Sequence, residues 1–309
     1  MASDPSRNTY SSYLQLAQLL SAQKTSTKSD DELLFIVIHQ SHELWFKLMI
    51  HELDCAIAAL APPAGSPPRS DSLLIAYKRL SRVSEIQELL ISSWRVLRTL
   101  TPDEFHVFRD TVGRDGASGF QSIQYRVLEF KLGLKYRQID MDAEKKSVFG
   151  NAGTEEDRVL EAALAGKSIY DAVNIYLARH KKGYGIEGLH KGDYTQRYTK
   201  QLAVFRCWKD IYEDREEDPE LYQLGEKLID VEDAFRRWRL DHLSTVARII
   251  GSNTGTGGSS GLRYLKGVAN QLFETPMFPE LWDVRNYMFN KGGFDEVRAG
   301  YVTPTTTSP

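Results

Sequence analysis

Cysteines and long apolar runs are both scarce in this sequence of 309 residues. The two cysteines, Cys55 and Cys207, stand far apart, so we expect no disulfide framework and a reducing, cytoplasmic setting. No segment approaches the ~18 uninterrupted apolar residues of a membrane span, and the N-terminus lacks the basic and apolar regions of a secretion signal. The sequence therefore predicts neither a membrane anchor nor export.

An excess of one charge is also missing. Lys and Arg number 39, Asp and Glu number 42, and the two signs are mixed along the chain. Without a basic stripe, no nucleic-acid partner is expected. The sequence has no C-x-x-C pair and no GxxxxGK[ST] segment, which excludes those zinc and P-loop signatures. The apolar content of 41% can fill a sizeable core, so we expect one domain over 1–309, with 1–9 and 303–309 disordered.

Helical periodicity dominates what is present, and no stretch alternates as a strand does. Helices are predicted from Asp30 to about Ala59, from Ser72 to Leu100, after Thr101, after the break at 113–119, near 154–165, 167–180 and 197–213, from Pro219 to Ile250, and after the loop 251–261. Thr101 and Glu104 are expected to form a capping box around Pro102. The loop 61–72 is not expected to separate domains. We predict an all-α, bundle-like fold.

The first helix carries two histidines on an apolar stripe. The stripe consists of Phe35, His39, His42, Phe46, Met49 and Leu53. Periodicity leaves two interpretations of His39, a core histidine with one hydrogen bond or a donor and acceptor on a pocket wall. His42 fits either interpretation, and a zinc-protease site is excluded because no second histidine follows at the required offset. Glu43 and Lys47 are expected to pair on the opposite side of the helix.

A second stripe crosses the helix predicted for 219–250. It consists of Val231, Phe235, Trp238, His242, Thr245 and Ile249. His242 is either a satisfied core residue or a ligand on a rigid helix, in the place that a proximal haem histidine takes. An apolar setting disfavours the imidazolium, which leaves the neutral form that ligates metals.

The segment "TPDEFHVFRDTVG" places an arginine beside aromatic rings. Arg109 follows Phe105 by four residues and Phe108 by one, so the three share one side of a helix. Arg109 is either a snorkelling side chain at a helix end or a bidentate clamp for a carboxylate. The Gly- and Ser-rich loop 251–261 is either a flexible connector or a ligand-binding loop. A carboxylate di-iron bundle is excluded, because no pair of Glu-x-x-His motifs occurs.

Taken together, these stretches resemble the haem-dependent tryptophan 2,3-dioxygenase family over roughly Tyr10 to Val284. The motifs that carry the resemblance are "YSSYLQLAQLLSAQ", "DELLFIVIHQSHELWFK", "TPDEFHVFRD", "SGFQSIQYRVLEF", "WRLDHLSTVARIIGSNTGTGGSSG" and "FPELWDVR". The resemblance implies a helical domain around a haem b pocket, with His242 as the iron ligand. It also implies that Trp94 lies near that histidine and that Ser118 and Gly119 contact the cofactor.

The same resemblance implies a site for an aromatic amino acid. The residues that it places at the substrate are Phe35, Phe105, Arg109, Val112, Thr256, Tyr10 and Tyr13. Arg109 would hold the carboxylate, Thr256 the amino acid end, and His39 would be the catalytic residue that hydrogen-bonds near the indole N–H rather than an obligatory base. Tyr10 and Tyr13 would enter a neighbouring subunit's site, which implies a homotetramer.

The implied reaction is cleavage of the indole C2–C3 bond of L-tryptophan, or of a substituted tryptophan, by molecular oxygen. Both oxygen atoms would enter an N-formylkynurenine-type product, as in the kynurenine pathway. One alternative is a haem monooxygenase of natural-product biosynthesis, which would insert a single oxygen atom and form a 2-oxindole. A second alternative is a helical scaffold that holds no haem and would purify colourless.

The chain departs from the family pattern at several positions. Ala17 stands where an acidic residue is common, and Asp241 stands before the proposed ligand where a basic residue is usual. Val112 replaces a common leucine, and the loop 113–119 is longer than in compact members of the family. A smaller side chain and a reshaped loop predict room for a ring substituent on the substrate.

Overall fold

The computed structural model describes residues 9–63, 65–66, 69–114, 119–135, 154–181, 183–186, 197–253 and 261–290. All regular structure in these ranges is helical, and no strand occurs within them. The predicted all-α fold is therefore confirmed. No helix in these ranges combines the length and apolar character that a membrane span requires.

Twelve α-helices lie in the described ranges, together with a 3-10 turn at Gly119–Gln121. They are α1 (Tyr10–Tyr13), α2 (Leu16–Leu20), α3 (Glu32–Leu60), α4 (Ser72–Leu97), α5 (Pro102–Arg114), α6 (Ile123–Lys131), α7 (Glu155–Ala165), α8 (Ile169–His180), α9 (Arg197–Glu213), α10 (Pro219–Ile250), α11 (Gly261–Glu274) and α12 (Pro279–Phe289). The predicted helices are all present, and those given bounds begin and end within one turn of them.

Three helices were not predicted. The short α1 and α2 bury no residue, so no apolar stripe marks them in the sequence. For α12 a signal was available, because Pro279 stands in its first turn, where proline favours a helix start.

Side-chain caps explain where several helices begin. Thr154 with Asp157 and Ser168 with Asp171 form capping boxes at the starts of α7 and α8. At the start of α5, the Thr101 N–H donates to the Glu104 carboxylate at 2.8 Å, which is the second arm of the predicted capping box.

The long helices α3, α4 and α10 carry the core, and α4 packs against both of the others. Met49, Leu53, Leu80 and Leu228 are fully buried in one continuous apolar cluster. The helices α3 and α4, which precede and follow the segment 61–72, pack side by side. The shorter α6 packs on α3 and α11 packs on α10, so they enclose a space beside the long helices.

Candidate active site

A cavity of about 260 Å³ lies between α3, α4, α5, α6, α10 and α11. Its lining is mainly apolar, with a few polar and charged side chains. Of the twelve residues that the family resemblance places at the cofactor or the substrate, seven line this cavity: Phe35, His39, Trp94, Phe105, Arg109, Gly119 and His242. The fold thus brings together side chains from widely separated parts of the sequence.

His242 lies on α10, and its half-buried ring reaches the cavity wall. The ring stacks on Trp94, with centroids 4.9 Å apart and an interplanar angle of 16°, and lies 5.5 Å from the Trp238 ring. Desolvation lowers the pKa of His242 to about 3, so the imidazole is neutral at physiological pH. No hydrogen bond joins this ring to any residue that the structure describes, which leaves a neutral nitrogen available to a ligand.

His42 is largely the satisfied core histidine of the first stripe. It is 4% exposed, its Nδ1–H donates to the Ile38 carbonyl at 2.8 Å, and its ring lies 4.6 Å from Trp94. Ser93 Oγ lies 3.5 Å from its other ring nitrogen, at the limit of a hydrogen bond. Desolvation lowers the pKa of His42 to about 4.

His39 has a different setting, although it too contacts a carbonyl one turn earlier. Its Nδ1 lies 2.7 Å from the Phe35 carbonyl oxygen, so the neutral ring carries its hydrogen there and Nε2 is an acceptor. The accessible surface of His39 faces the cavity, while surrounding protein desolvates the ring. This desolvation lowers the pKa of His39, and the Phe35 carbonyl and the Glu43 carboxylate oppose the shift without reversing it.

Aromatic rings form the wall beside His39. The Phe35 ring lies 5.7 Å from both Phe105 and Phe108, and those two meet edge to face at 5.3 Å. Arg109 follows Phe105 by one turn of α5 and also lines the cavity. A guanidinium therefore stands beside a flat apolar wall, with a histidine acceptor one turn along α3.

The sequence as a whole was then compared with known proteins. A family model described as Tryptophan 2,3-dioxygenase matches residues 2–187 and 164–288. The tryptophan 2,3-dioxygenase of Bacillus cereus (strain ZK / E33L) is 46% identical over 278 residues, covering 90% of this chain and 91% of the relative. That of Bradyrhizobium sp. (strain BTAi1 / ATCC BAA-1182) is 43% identical over 279 residues, covering 90% and 92%.

The chain belongs to the tryptophan 2,3-dioxygenase family. The resemblance inferred from the motifs is therefore confirmed. The matched residues include α3 and α10, the helices that carry the histidines of the cavity.

One charged group in this family member's cavity was missed by the sequence analysis. Arg126 and Arg239 are buried, line the cavity, and both donate to the buried Glu129, with Arg126 Nη1 2.8 Å from Glu129 Oε2. Arg239 Nε donates to the Tyr125 hydroxyl at 3.0 Å, and Arg126 Nη2 donates to the Tyr264 hydroxyl at 3.2 Å. Among the described contacts, the two guanidinium groups share the carboxylate of Glu129. Arginines within apolar helical stripes were the available signal.

The predicted position of Glu43 was wrong. Glu43 lines the cavity and accepts hydrogen bonds from Ser122 Oγ at 2.5 Å and from Gln124 Nε2 at 2.8 Å. It forms no ion pair with Lys47, although the structure describes both residues. The reason is geometric, since Glu43 follows His39 by four residues and so shares its side of α3. Glu43 instead fastens the start of α6 to α3.

The remaining predicted residues lie outside the cavity or outside the described ranges. Val112 is half-buried against the main core and does not line the cavity. Tyr10 and Tyr13 are 77% and 74% exposed on α1, away from the cavity of their own chain. Ser118 and Thr256 lie outside the described residues. The roles of these five residues remain predictions.

Proposed function

We propose that this protein is a haem-dependent dioxygenase that cleaves the indole C2–C3 bond of L-tryptophan or of a substituted tryptophan. The product would be of the N-formylkynurenine type. Membership of the tryptophan 2,3-dioxygenase family supports ring-opening dioxygenation over insertion of a single oxygen atom. The observation that carries the proposal is that His242, neutral and without a hydrogen-bond partner in the described part of the chain, lines one cavity together with His39 and Arg109.

His242 is the proposed ligand of haem iron. The mainly apolar cavity beside His242 suits a large planar group. The indole N–H groups of Trp94 and Trp238, which contact the His242 ring, are buried without a hydrogen-bond partner in the described ranges. The guanidinium groups of Arg126 and Arg239, which line the cavity, suit the two carboxylates that haem b carries. When bound, ferrous haem would supply oxygen activation, which side chains do not perform.

Arg109 is the proposed partner of the substrate carboxylate. Its planar guanidinium matches a carboxylate with two parallel hydrogen bonds, and its place beside Phe105 leaves an apolar surface for the indole ring. Phe35 completes that wall from α3. Thr256, in the loop 251–261, is proposed to hold the amino acid end of the substrate.

His39 is proposed to orient the substrate rather than to remove a proton. With its own hydrogen directed to the Phe35 carbonyl, Nε2 is a bare acceptor that can receive the indole N–H. The lowered pKa of His39 keeps this nitrogen free of a proton at neutral pH. His39 at the indole N–H and Arg109 at the carboxylate would hold the two ends of the substrate, and the aromatic wall would exclude water.

We also propose a homotetramer in the cytoplasm. The side chains of Tyr10 and Tyr13 are highly exposed on a helix that buries nothing, as expected of residues that enter a neighbouring subunit's site. Both cysteines are free, which fits a reducing compartment. Sedimentation of the purified protein, compared with a Tyr10→Ser and Tyr13→Ser double variant, tests the assembly and the role of both tyrosines.

The decisive experiment is turnover of tryptophan with isotopically labelled oxygen, with the product analysed by mass. Two incorporated oxygen atoms and an opened ring are expected. One incorporated atom with an intact ring would show the monooxygenase alternative instead. A purified protein that stays colourless after addition of haem, and binds no aromatic amino acid, would show the scaffold alternative.

A further inference from the structure

The turn of α10 that carries His242 is tied to the end of α4 by one arginine. Arg98, the C-cap residue that follows α4, donates from Nε to Thr245 Oγ1 at 3.0 Å. Its Nη2 donates to the Asp241 carboxylate at 3.0 Å and to the Asp241 backbone carbonyl at 3.3 Å. One guanidinium therefore holds residues at both ends of a single helical turn.

That turn is also braced internally. The Thr245 hydroxyl donates to the Asp241 carbonyl at 2.7 Å, so Arg98 contacts two groups that are already joined to each other. His242 directly follows Asp241 in this turn. In addition, Arg248 Nε donates to the Arg98 carbonyl at 3.2 Å, which returns a bond from α10 to α4. Rotation of the turn about the helix axis would strain or break these bonds together.

The same face of α4 contacts the imidazole itself. Trp94 precedes Arg98 by four residues, so both side chains project from one side of α4. Trp94 stacks on the His242 ring while Arg98 holds the backbone and side chains on either side of it. The two contacts constrain different motions. Stacking on Trp94 fixes the plane of the His242 ring, and the Arg98 guanidinium resists rotation of the turn about the axis of α10.

We propose that Arg98 is a positioning residue for His242, a role that rests on the proposed haem ligation. Asp241 directly precedes His242, and Arg98 brings a positive charge to its carboxylate from another helix. The carboxylate of Asp241 is thereby engaged by Arg98, and the imidazole keeps its ring nitrogens free of a carboxylate partner. Arg98 does not contact the imidazole ring; it fixes the orientation of the helical turn from which His242 would bind iron.

A matched control exists on the same pair of helices. Arg237 of α10 donates to Glu88 of α4, with Nη1 3.0 Å from Oε2, and it also pairs with Asp233. This ion pair is somewhat more exposed than the pair of Arg98 and Asp241, and it lies more than a turn from His242. Glu88→Gln therefore removes an α4–α10 ion pair and leaves the histidine turn intact.

The test compares haem-loaded wild type with Arg98→Met, Arg98→Lys and Glu88→Gln. Two quantities are measured: the rate of haem transfer to an excess of a haem-scavenging protein, and the iron–histidine stretching band of the ferrous protein by resonance Raman spectroscopy. For Arg98→Met we expect roughly three- to ten-fold faster haem loss and a shifted or broadened band, below the cost of removing a direct partner of a ligand. Arg98→Lys should restore part of both, and Glu88→Gln should change neither.

The outcomes separate this inference from the proposed function. If wild type shows no iron–histidine band, or if His242→Ala leaves that band unchanged, both the proposed ligation and the role of Arg98 are wrong. If wild type shows the band but Arg98→Met and Glu88→Gln behave alike, Arg98 serves only helix packing and this inference alone is overturned. If Arg98→Met loses helical circular dichroism, Arg98→Lys and Asp241→Asn are compared instead. Faster haem loss from Asp241→Asn with an unchanged unfolding midpoint supports the role of Arg98. Unchanged haem retention in Asp241→Asn overturns it.

Discussion

The His242 imidazole and the Trp94 indole lie face to face, with ring centroids 4.9 Å apart and planes inclined by only 16°. Trp94 also lies 4.6 Å from His42, so a single indole from α4 contacts both α3 and α10 at the cavity. Its N–H is buried without a partner among the described residues, and the ring acts through packing alone. Trp94 thereby sets the spacing between two histidine-bearing helices.

Replacement of Trp94 should separate the effect of ring area from that of the N–H group. We expect Trp94→Ala to lower the free energy of unfolding by roughly 3–5 kcal/mol, the usual cost of removing a buried large aromatic ring. Trp94→Phe should cost much less, because it keeps a stacking ring and removes an N–H that has no partner. Urea unfolding of both variants measures the difference, and equal destabilisation would contradict this account.

Removal of the His242 imidazole should abolish haem ligation and leave a gap of imidazole size. We expect His242→Gly to lose the Soret band of a histidine-ligated haem protein. Added free imidazole should restore that band, because it can occupy the same space between Trp94 and Trp238. An unchanged spectrum in the variant before imidazole is added would show that another residue binds iron.

Arg109 should matter only to ligands that carry a carboxylate. We expect Arg109→Gln to weaken tryptophan binding by roughly 1.5–3 kcal/mol, the range for hydrogen bonds to charged groups. Tryptamine, which lacks the carboxylate, should bind wild type and variant with similar affinity. Calorimetric titration of both ligands measures this, and an equal loss for tryptamine would place the effect in packing rather than in carboxylate binding.

The buried histidines should make the haem-free protein sensitive to acid. The folded-state pKa of His42 is lowered to about 4 and that of His242 to about 3, so between those values and the unfolded value near 6.5 the unfolded chain binds more protons. Stability is then full above about pH 6.5 and falls as the pH drops. We expect a loss of about 2 kcal/mol per histidine between pH 7 and pH 5, measured by urea unfolding.

A variant identifies the source of that acid sensitivity. His42→Gln should reduce the loss between pH 7 and pH 5 by about 2 kcal/mol, the contribution of one histidine, even if it lowers stability at both values. A stability that is flat over this interval in wild type would contradict the lowered pKa values of both histidines.

Glu129 should be needed for folding as well as for the shape of the cavity. Glu129→Gln would leave Arg126 and Arg239 buried with no carboxylate between them. We expect a loss of roughly 3–5 kcal/mol in the free energy of unfolding, as for other buried pairs deprived of one partner. Glu155→Gln, which removes an exposed pair with Arg158, should change stability by less than about 1 kcal/mol.

The sequence predicted best where one apolar stripe runs along a long helix. Periodicity located α3 and α10 and placed the three histidines that line the cavity, His39, His42 and His242, on their inner faces. It left the choice between core and ligand open for His242, because burial and the lack of a hydrogen-bond partner are visible only once Trp94 and Trp238 surround the ring. The family resemblance, rather than periodicity, supplied the proposed ligand.

Helical periodicity did not predict contacts between helices that are distant in the sequence. The bond from Arg239 to Glu129 joins α10 to α6, and no local spacing reveals that pairing. Arg126 and Glu129, by contrast, are three residues apart within α6. The predicted pair of Glu43 and Lys47 was wrong for a simpler reason. Glu43 also follows His39 by four residues, and it lies on the His39 side of α3. The exposed α1 has no buried face, so its prediction requires knowledge of a partner subunit.

The attachment of Glu43 to Ser122 and Gln124 bears on how this family tolerates insertions. It pins the beginning of α6 downstream of the lengthened segment 113–119, while the rings of α5 are pinned upstream by Phe35. Extra residues between these two anchors can be accommodated without moving Arg126 or Arg109. The segment between the two anchors can therefore change in length while the cavity walls formed by α3 and α6 keep their positions.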